Sequence, residues 1–328
     1  MAQAPPLHEA YRHEFPVRDK YVFLNHAGVA PLPARTARAL QDLAQDMAEG
    51  GGAYSDRWAR VLPLVRQRAA NLLGCQPSDV ALVKNTTHGL LLVAQSIPWC
   101  EGDNIVAPGH EFPANIYPWM GLRDRGVSLR LVGDDPAQPV TADDLVAACD
   151  SGTRAIAVSW VQFANGYRID LERLSEHCRR RGIYLIVDAI QGLGAVPWAG
   201  EASLADFIAA DGHKWLLSVE GCGLLYVNPG ILDDLVPAGV GWQSMEEPDR
   251  YLDYTWRPQA SATRFEEGSH NLLGATALAE SLGLLLEVGI AEAWQAIGQL
   301  TAQLDEGMKT LGARPRGSGR AEERSGIR

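Results

Sequence analysis

Residues 206–227 read DFIAADGHKWLLSVEGCGLLYV. Two apolar runs, 207–210 and 223–227, flank a turn that carries Lys214 between His213 and Trp215. The chain has only four lysines, Lys20, Lys84, Lys214 and Lys309. One of them stands just past an apolar strand, where ligands gather in open α/β sheets, and that points to a chemical use for its amine.

Working outward, short apolar runs alternate with helical patterns from about residue 80. VALVK precedes TTHGLLLVAQSI, NIVAP precedes NIYPWMGLRDRG, and SLRLV leads to TADDLVAACD, where Thr141 and Asp144 have capping-box spacing. RAIAVSWV is followed by DLERLSEHCRRRG, with Asp170 as N-cap and Gly182 as stop, and IYLIVDA, DFIAA and GLLYV follow. Apolar runs without polar alternation suit strands covered on both faces, and their alternation with helices predicts parallel βαβ units. The expected fold is a three-layer α/β/α sandwich with a mainly parallel sheet, plus an incomplete smaller α+β domain. Residues 1–20 read as an N-terminal arm and 21–258 as the large domain. Residues 259–312, broken near Gly289, read as linker helices leading into the small domain. The tail from 313 to 328 has five arginines and little to bury, so it is expected to be disordered, as after a premature end.

Bulk properties narrow the function. A chain of 328 residues with 46% hydrophobic and 21% charged residues has the composition of a soluble globular protein. Its formal charge of −11 argues against nucleic acid as partner, because phosphate backbones need clustered cations. Arg179, Arg180 and Arg181 read as the solvated end of a helix. The five cysteines show no C-x-x-C spacing, which fits a reduced, cytoplasmic setting. No signal-peptide core opens the chain and no apolar run approaches the ~18 residues of a membrane helix. The eight histidines form no metal-ligand spacing, so no metal is expected.

Candidate site residues cluster at strand ends. Asp188 closes YLIVD, and Lys214 follows 26 residues later. Thr86 and Thr87 stand between VALVK and a helix, where hydroxyls and a helix N-terminus can receive a phosphate. Phe112 follows NIVAP and can lie flat against a ring, and Gln162 follows RAIAVSWV and can donate to a ring oxygen. This set suits pyridoxal phosphate. A desolvated lysine condenses with the aldehyde, and an aspartate keeps the pyridine nitrogen protonated so that the ring withdraws electrons. Singly, each residue has a plainer reading: Thr86 and Thr87 as a helix cap, Phe112 as core, Asp188 as the acid of a nucleotide hydrolase. The last lacks any G-x-x-x-x-G-K-[ST] here, and GLG at 192–194 lacks the third glycine of a dinucleotide loop.

From about residue 20 to 312 the chain resembles the class V aminotransferase family of fold-type I pyridoxal-phosphate enzymes. That family includes cysteine desulfurases, kynureninases and isopenicillin-epimerase-like proteins. The resemblance lies in YVFLNHAGVAPLP, NTTHG, HEFPANIYPW, VSWVQFANGYRID, VDAIQG, DGHKW and RFEEGSHN. It implies that Lys214 is the Schiff-base lysine, Asp188 the ring-nitrogen partner, and that Gln191 lies near the ring oxygen. Thr86, Thr87, Asp211 and His213 match phosphate-binding positions, with Asp211 where serine is common. An acid there would repel the phosphate unless it is turned away or bonded to a donor. Phe112 matches the stacking position, which is histidine in the desulfurases, and Gln162 a position often held by asparagine. Asn25, His26 and Ala27 match the segment lining the substrate side. Ser269 matches a hydroxyl that reaches the neighbouring subunit's cofactor, which implies a homodimer. Ser218 and Val219 replace a commoner Gly-Pro pair.

The expected substrate is an amino acid or related amine, handled by transamination, elimination or epimerisation after α-proton removal by Lys214. A persulfide-forming desulfurase is disfavoured, because no cysteine follows Cys222 and Phe112 cannot move protons. The alternative is a truncated, non-catalytic homologue that binds the cofactor or only dimerises.

Overall fold

The computed structural model describes residues 5–198, 202–313 and 318–328. Seven strands form one sheet: β1 Val80–Val83, β2 Asn104–Pro108, β3 Ser128–Val132, β4 Thr153–Ser159, β5 Tyr184–Asp188, β6 Phe207–Asp211 and β7 Gly223–Val227. Their order is β1-β7-β6-β5-β4-β2-β3. The neighbours from β3 across to β6 pair parallel, whereas β7 is antiparallel to both β6 and β1. The reversal follows from chain length: the turn between β6 and β7 is too short for the crossover a parallel return needs. Because β7 alone reverses, the carboxyl ends of β1, β2, β4, β5 and β6 share one edge.

Strands β5, β6 and β7 are wholly buried, and their residues sort by alternation into two cores. Leu185, Val187, Ile208, Ala210, Leu224 and Tyr226 face helices Val61–Leu73, Leu171–Arg181 and Leu272–Val288. Ile186, Phe207, Ala209, Leu225 and Val227 face the helix Thr86–Ser96, with Trp119 and Phe265. This is the three-layer arrangement expected. The capping box of Thr141 and Asp144, the N-cap at Asp170 and the left-handed stop at Gly182 all form. Among the described residues, no single helix is long and apolar enough to cross a membrane.

Three expectations meet a different structure. NIYPWMGLRDRG forms only the short pieces Tyr117–Met120 and Arg123–Arg125: Pro118 stands in the first turn of the former and bars a helix from running through it from Asn115. Helix Leu272–Val288 does not lead out of the large domain: Leu278, Leu282 and Leu285 lie in its core, and the chain turns away only at Gly289, where helix Ile290–Thr310 departs at 78°. The tail expected to be disordered packs at residues 318–328, while 314–317 lie outside the described residues. There the Arg168 amide donates to Glu323 O at 2.8 Å, Ser325 Oγ donates to Gly166 O at 2.7 Å, and Gly326 lies against Trp215. Backbone bonds and a glycine's close approach hold this segment, and a composition count of apolar side chains misses both.

Truncating Leu278, which has no exposed surface, should lower unfolding free energy by about 2–5 kcal/mol as Leu278→Ala. Asp170→Ala should cost about 1 kcal/mol. Urea midpoints for the two variants should keep that order.

Candidate active site

β5 and β6 are adjacent and parallel, so the residues that end them open on the same crevice. Lys214 sits in the turn three residues past β6. Leu217 N–H donates to Lys214 O at 2.9 Å and Ser218 N–H to Gly212 O at 2.8 Å, while Ser281 Oγ donates to Leu217 O at 2.7 Å. Leu217 is the one non-glycine at positive φ among the described residues, at 58°. Such backbone persists only where the surroundings over-determine it, and these three bonds do so. They close the turn in which Ser218 and Val219 replace the commoner pair.

Burial weakens both charges of the central pair. Asp188 is 2% exposed, and burial pushes its carboxyl up to about 7. The amide of Ile190, 3.0 Å from Oδ1, and the charge of Lys214 oppose that rise, whereas the Glu111 carboxylate adds to it. Burial holds the Lys214 ammonium below the ordinary lysine range, against the attraction of Asp188 and Asp211. Lys214 Nζ lies 5.5 Å from the centre of the Phe112 ring, which meets Phe163 edge-on at 5.3 Å. Lys214, Asp188 and Phe112 therefore share one pocket.

The other candidates are placed less uniformly. Thr86 is buried, and its Oγ1 accepts from the Asp211 amide at 3.0 Å, while Thr87 is exposed on the first turn. The cap of that helix is Asn85, which accepts from His88 N–H at 2.8 Å. Asp211 is bonded to donors: Oδ1 accepts Gly212 N–H at 2.7 Å and Oδ2 lies 2.9 Å from His213 Nδ1, at ion-pair distance though not aligned as a hydrogen bond. Gln162 donates its amide nitrogen to Glu111 at 2.8 Å, which leaves its buried Oε1 unpartnered. A donor was expected of it; an acceptor is what stays free.

Gln191 is engaged at both ends. Its Nε2 donates to Ala27 O at 3.0 Å and its Oε1 accepts from Trp215 Nε1 at 2.9 Å. The segment Asn25–Ala30 is tied to the lysine turn, since Ala30 N–H donates to His213 O at 2.9 Å and His26 stacks on Trp215 at 5.6 Å. Asn25 Oδ1 accepts the Gly28 amide at 3.1 Å. Ser269 stands apart, exposed in a cleft of about 720 Å³ lined by Lys84, His88, Cys222, Glu266 and His270.

Glu111 and Trp215 were missed as site residues. Glu111 carried the signal that flagged Asp188, an acid at a strand end, but the neighbouring Phe112 drew the reading. Trp215 became visible only through contacts with residues distant in sequence.

A lysine of weakened charge opposite a buried acid, beneath a ring and at the strand ends of a three-layer sheet, defines an enzyme that uses an amine on a carbonyl cofactor. The chain belongs to the aminotransferase class-V family, which it matches over residues 22–327 and whose members are pyridoxal-phosphate-dependent transferases and lyases. A probable cysteine desulfurase of Methanothermobacter thermautotrophicus is 29% identical over 288 residues, covering 86% of this chain and 71% of the relative. The apo cysteine desulfurase from Thermococcus onnurineus NA1 shares the fold, with a TM-score of 0.87 at 23% identity over 99% of this chain and 82% of that one. A mutant of C-DES, with glycine covalently linked to its pyridoxal-phosphate cofactor, superposes with a TM-score of 0.83 at 25% identity, covering 92% and 80%.

The raised Asp188 carboxyl has a consequence for stability. The folded chain keeps a proton that the unfolded chain releases, so stability falls as pH rises from the ordinary 3.8 to about 7 and is level above. In the cofactor-free protein, Asp188→Asn should be more stable than the parent by on the order of 2 kcal/mol at alkaline pH, a gap that closes in acid. Thermal unfolding across pH reads it, and a variant less stable than its parent at alkaline pH would contradict the assignment.

Proposed function

We propose that the chain binds pyridoxal phosphate at this edge and acts on an amino acid or related amine by labilising its α-proton, with Lys214 as the attachment point and base. The observation that carries the reading is the half-buried Lys214, with Phe112 5.5 Å from its amine and the charge of the buried Asp188 acting on it. The residues fit the cofactor: an amine with lowered proton affinity, an acid for the ring nitrogen, a flat face, and an unpartnered buried acceptor in Gln162. When bound, pyridoxal phosphate supplies an aldehyde carbon for amines and a ring that withdraws electrons from the substrate α-carbon.

Asp188 would hold a proton at the ring nitrogen, and Phe112 would cover one ring face. Thr86, Thr87 and His213 would hold the phosphate, with Asp211 engaged by its Gly212 and His213 contacts. Gln162 and Gln191 would serve the ring oxygen, and Asn25, His26 and Ala27 the substrate. Lys214, freed as a neutral amine, takes the α-proton, which is the step common to transamination, elimination and epimerisation. Burial pushes the thiols of Cys75, Cys178, Cys222 and Cys149 up, so these four favour the protonated form over the thiolate a desulfurase needs.

A homodimer in which Ser269 reaches the partner's cofactor completes the proposal. It is supported by the exposed apolar side chains Tyr251, Leu252, Tyr254 and Trp256, which a monomer would leave in water.

Borohydride reduction of the loaded protein should place the cofactor on the Lys214 peptide and nowhere in Lys214→Ala; an adduct persisting in that variant defeats the assignment. Amine-dependent change in the cofactor absorbance separates turnover from binding alone. Ser269→Ala should loosen the cofactor about tenfold, read as its dissociation constant, and light scattering should show two chains per particle.

A further inference from the structure

Glu111 is buried one residue before Phe112, and both of its oxygens accept hydrogen bonds. Oε1 takes Ser159 N–H at 2.7 Å and Gln162 Nε2 at 2.8 Å, and Oε2 takes the Ser159 hydroxyl. Ser159 is the cross-strand partner of Asp188 in the β4–β5 register, and Trp160 N–H donates to Asp188 O at 2.9 Å. The two carboxyl groups thus end neighbouring segments, and both are buried, where charges are screened less than in water.

We propose that Glu111 is a positioning residue for the cofactor's ring: it fixes Gln162 with its amide oxygen free, and its negative charge beside Asp188 favours a proton shared between Asp188 and the ring nitrogen. The inference rests on the pyridoxal-phosphate reading above. The donor set explains the first half. A carboxylate only accepts, so Gln162 must turn its NH2 towards Glu111 and leave Oε1 over. Like charges in a buried pair explain the second, because ionising one carboxyl makes the other hold its proton to higher pH. Burial pushes the Glu111 carboxyl up, and the donors of Ser159 and Gln162, with Asn115, hold it back. The groups facing Asp188 are Glu111, the Ile190 amide and Lys214, and Lys214 in turn faces Asp211.

The test is nitrogen-15 NMR of full-length protein loaded with pyridoxal phosphate labelled at the ring nitrogen, titrated with pH. Glu111→Gln keeps the shape and removes the charge. Its ring nitrogen should lose its proton at about tenfold higher proton concentration than the parent's. A purely structural role for Glu111 would alter occupancy or melting temperature and leave that midpoint in place, and an unchanged midpoint overturns the proposal. Should Glu111→Gln not fold, Ser159→Ala removes one donor from Glu111, favours its neutral form, and should move the midpoint the same way by a smaller amount; no movement again overturns the proposal. Absence of a borohydride-fixed adduct on Lys214 in the parent would instead sink the cofactor reading itself.

Discussion

This edge of the protein is governed by one electrostatic constraint: a buried acid, Asp188, and a half-buried base, Lys214, near the ends of adjacent strands. Burial weakens both charges, and the attraction between them offsets only part of that. The sheet sustains the arrangement. β5 and β6 run side by side in the same direction, so their ends deliver Asp188 and the lysine turn to one place. The reversed β7 then closes that turn tightly, and Ser281 from the buried helix Leu272–Val288 clamps it from beneath. Helix, sheet and turn are thereby committed to keeping two reluctant ions in register.

Much of this was legible in the chain. Six of the seven strands follow short apolar runs, because a doubly covered strand needs no polar alternation, whereas the edge strand β3 is partly exposed. Asp188 and Lys214 were visible as polar residues that break such runs at their carboxyl ends. What escaped notice depends on partners far away in sequence. The roles of Gln191 and Trp215 come from contact with residues 26–27, and nothing local in VDAIQG announces a glutamine whose amide is spoken for at both ends. The packed segment 318–328 escaped for a related reason: it is held by hydrogen bonds to the backbone of residues 166 and 168 and by Gly326, neither of which a hydrophobicity profile weighs. In NIYPWMGLRDRG the apolar spacing suggested a helix and Pro118 prevailed over it.

The same contacts show how the beginning of the chain comes to border the site. His26 lies flat on Trp215, Ala27 accepts from Gln191 and Ala30 donates to His213. Three independent ties bring one short segment onto the lysine turn, and none involves a charged group. The wall on that side is therefore set by stacking and amide bonds, which salt does not screen.

Leu217 closes the account of the turn. With its backbone in a left-handed conformation and three hydrogen bonds around it, the peptide segment behind Lys214 has little freedom to swing. Whatever travel the amine makes must come from rotation about its own four methylene carbons. The lysine behaves as a tether on a fixed post, and its reach is a matter of side-chain torsion alone.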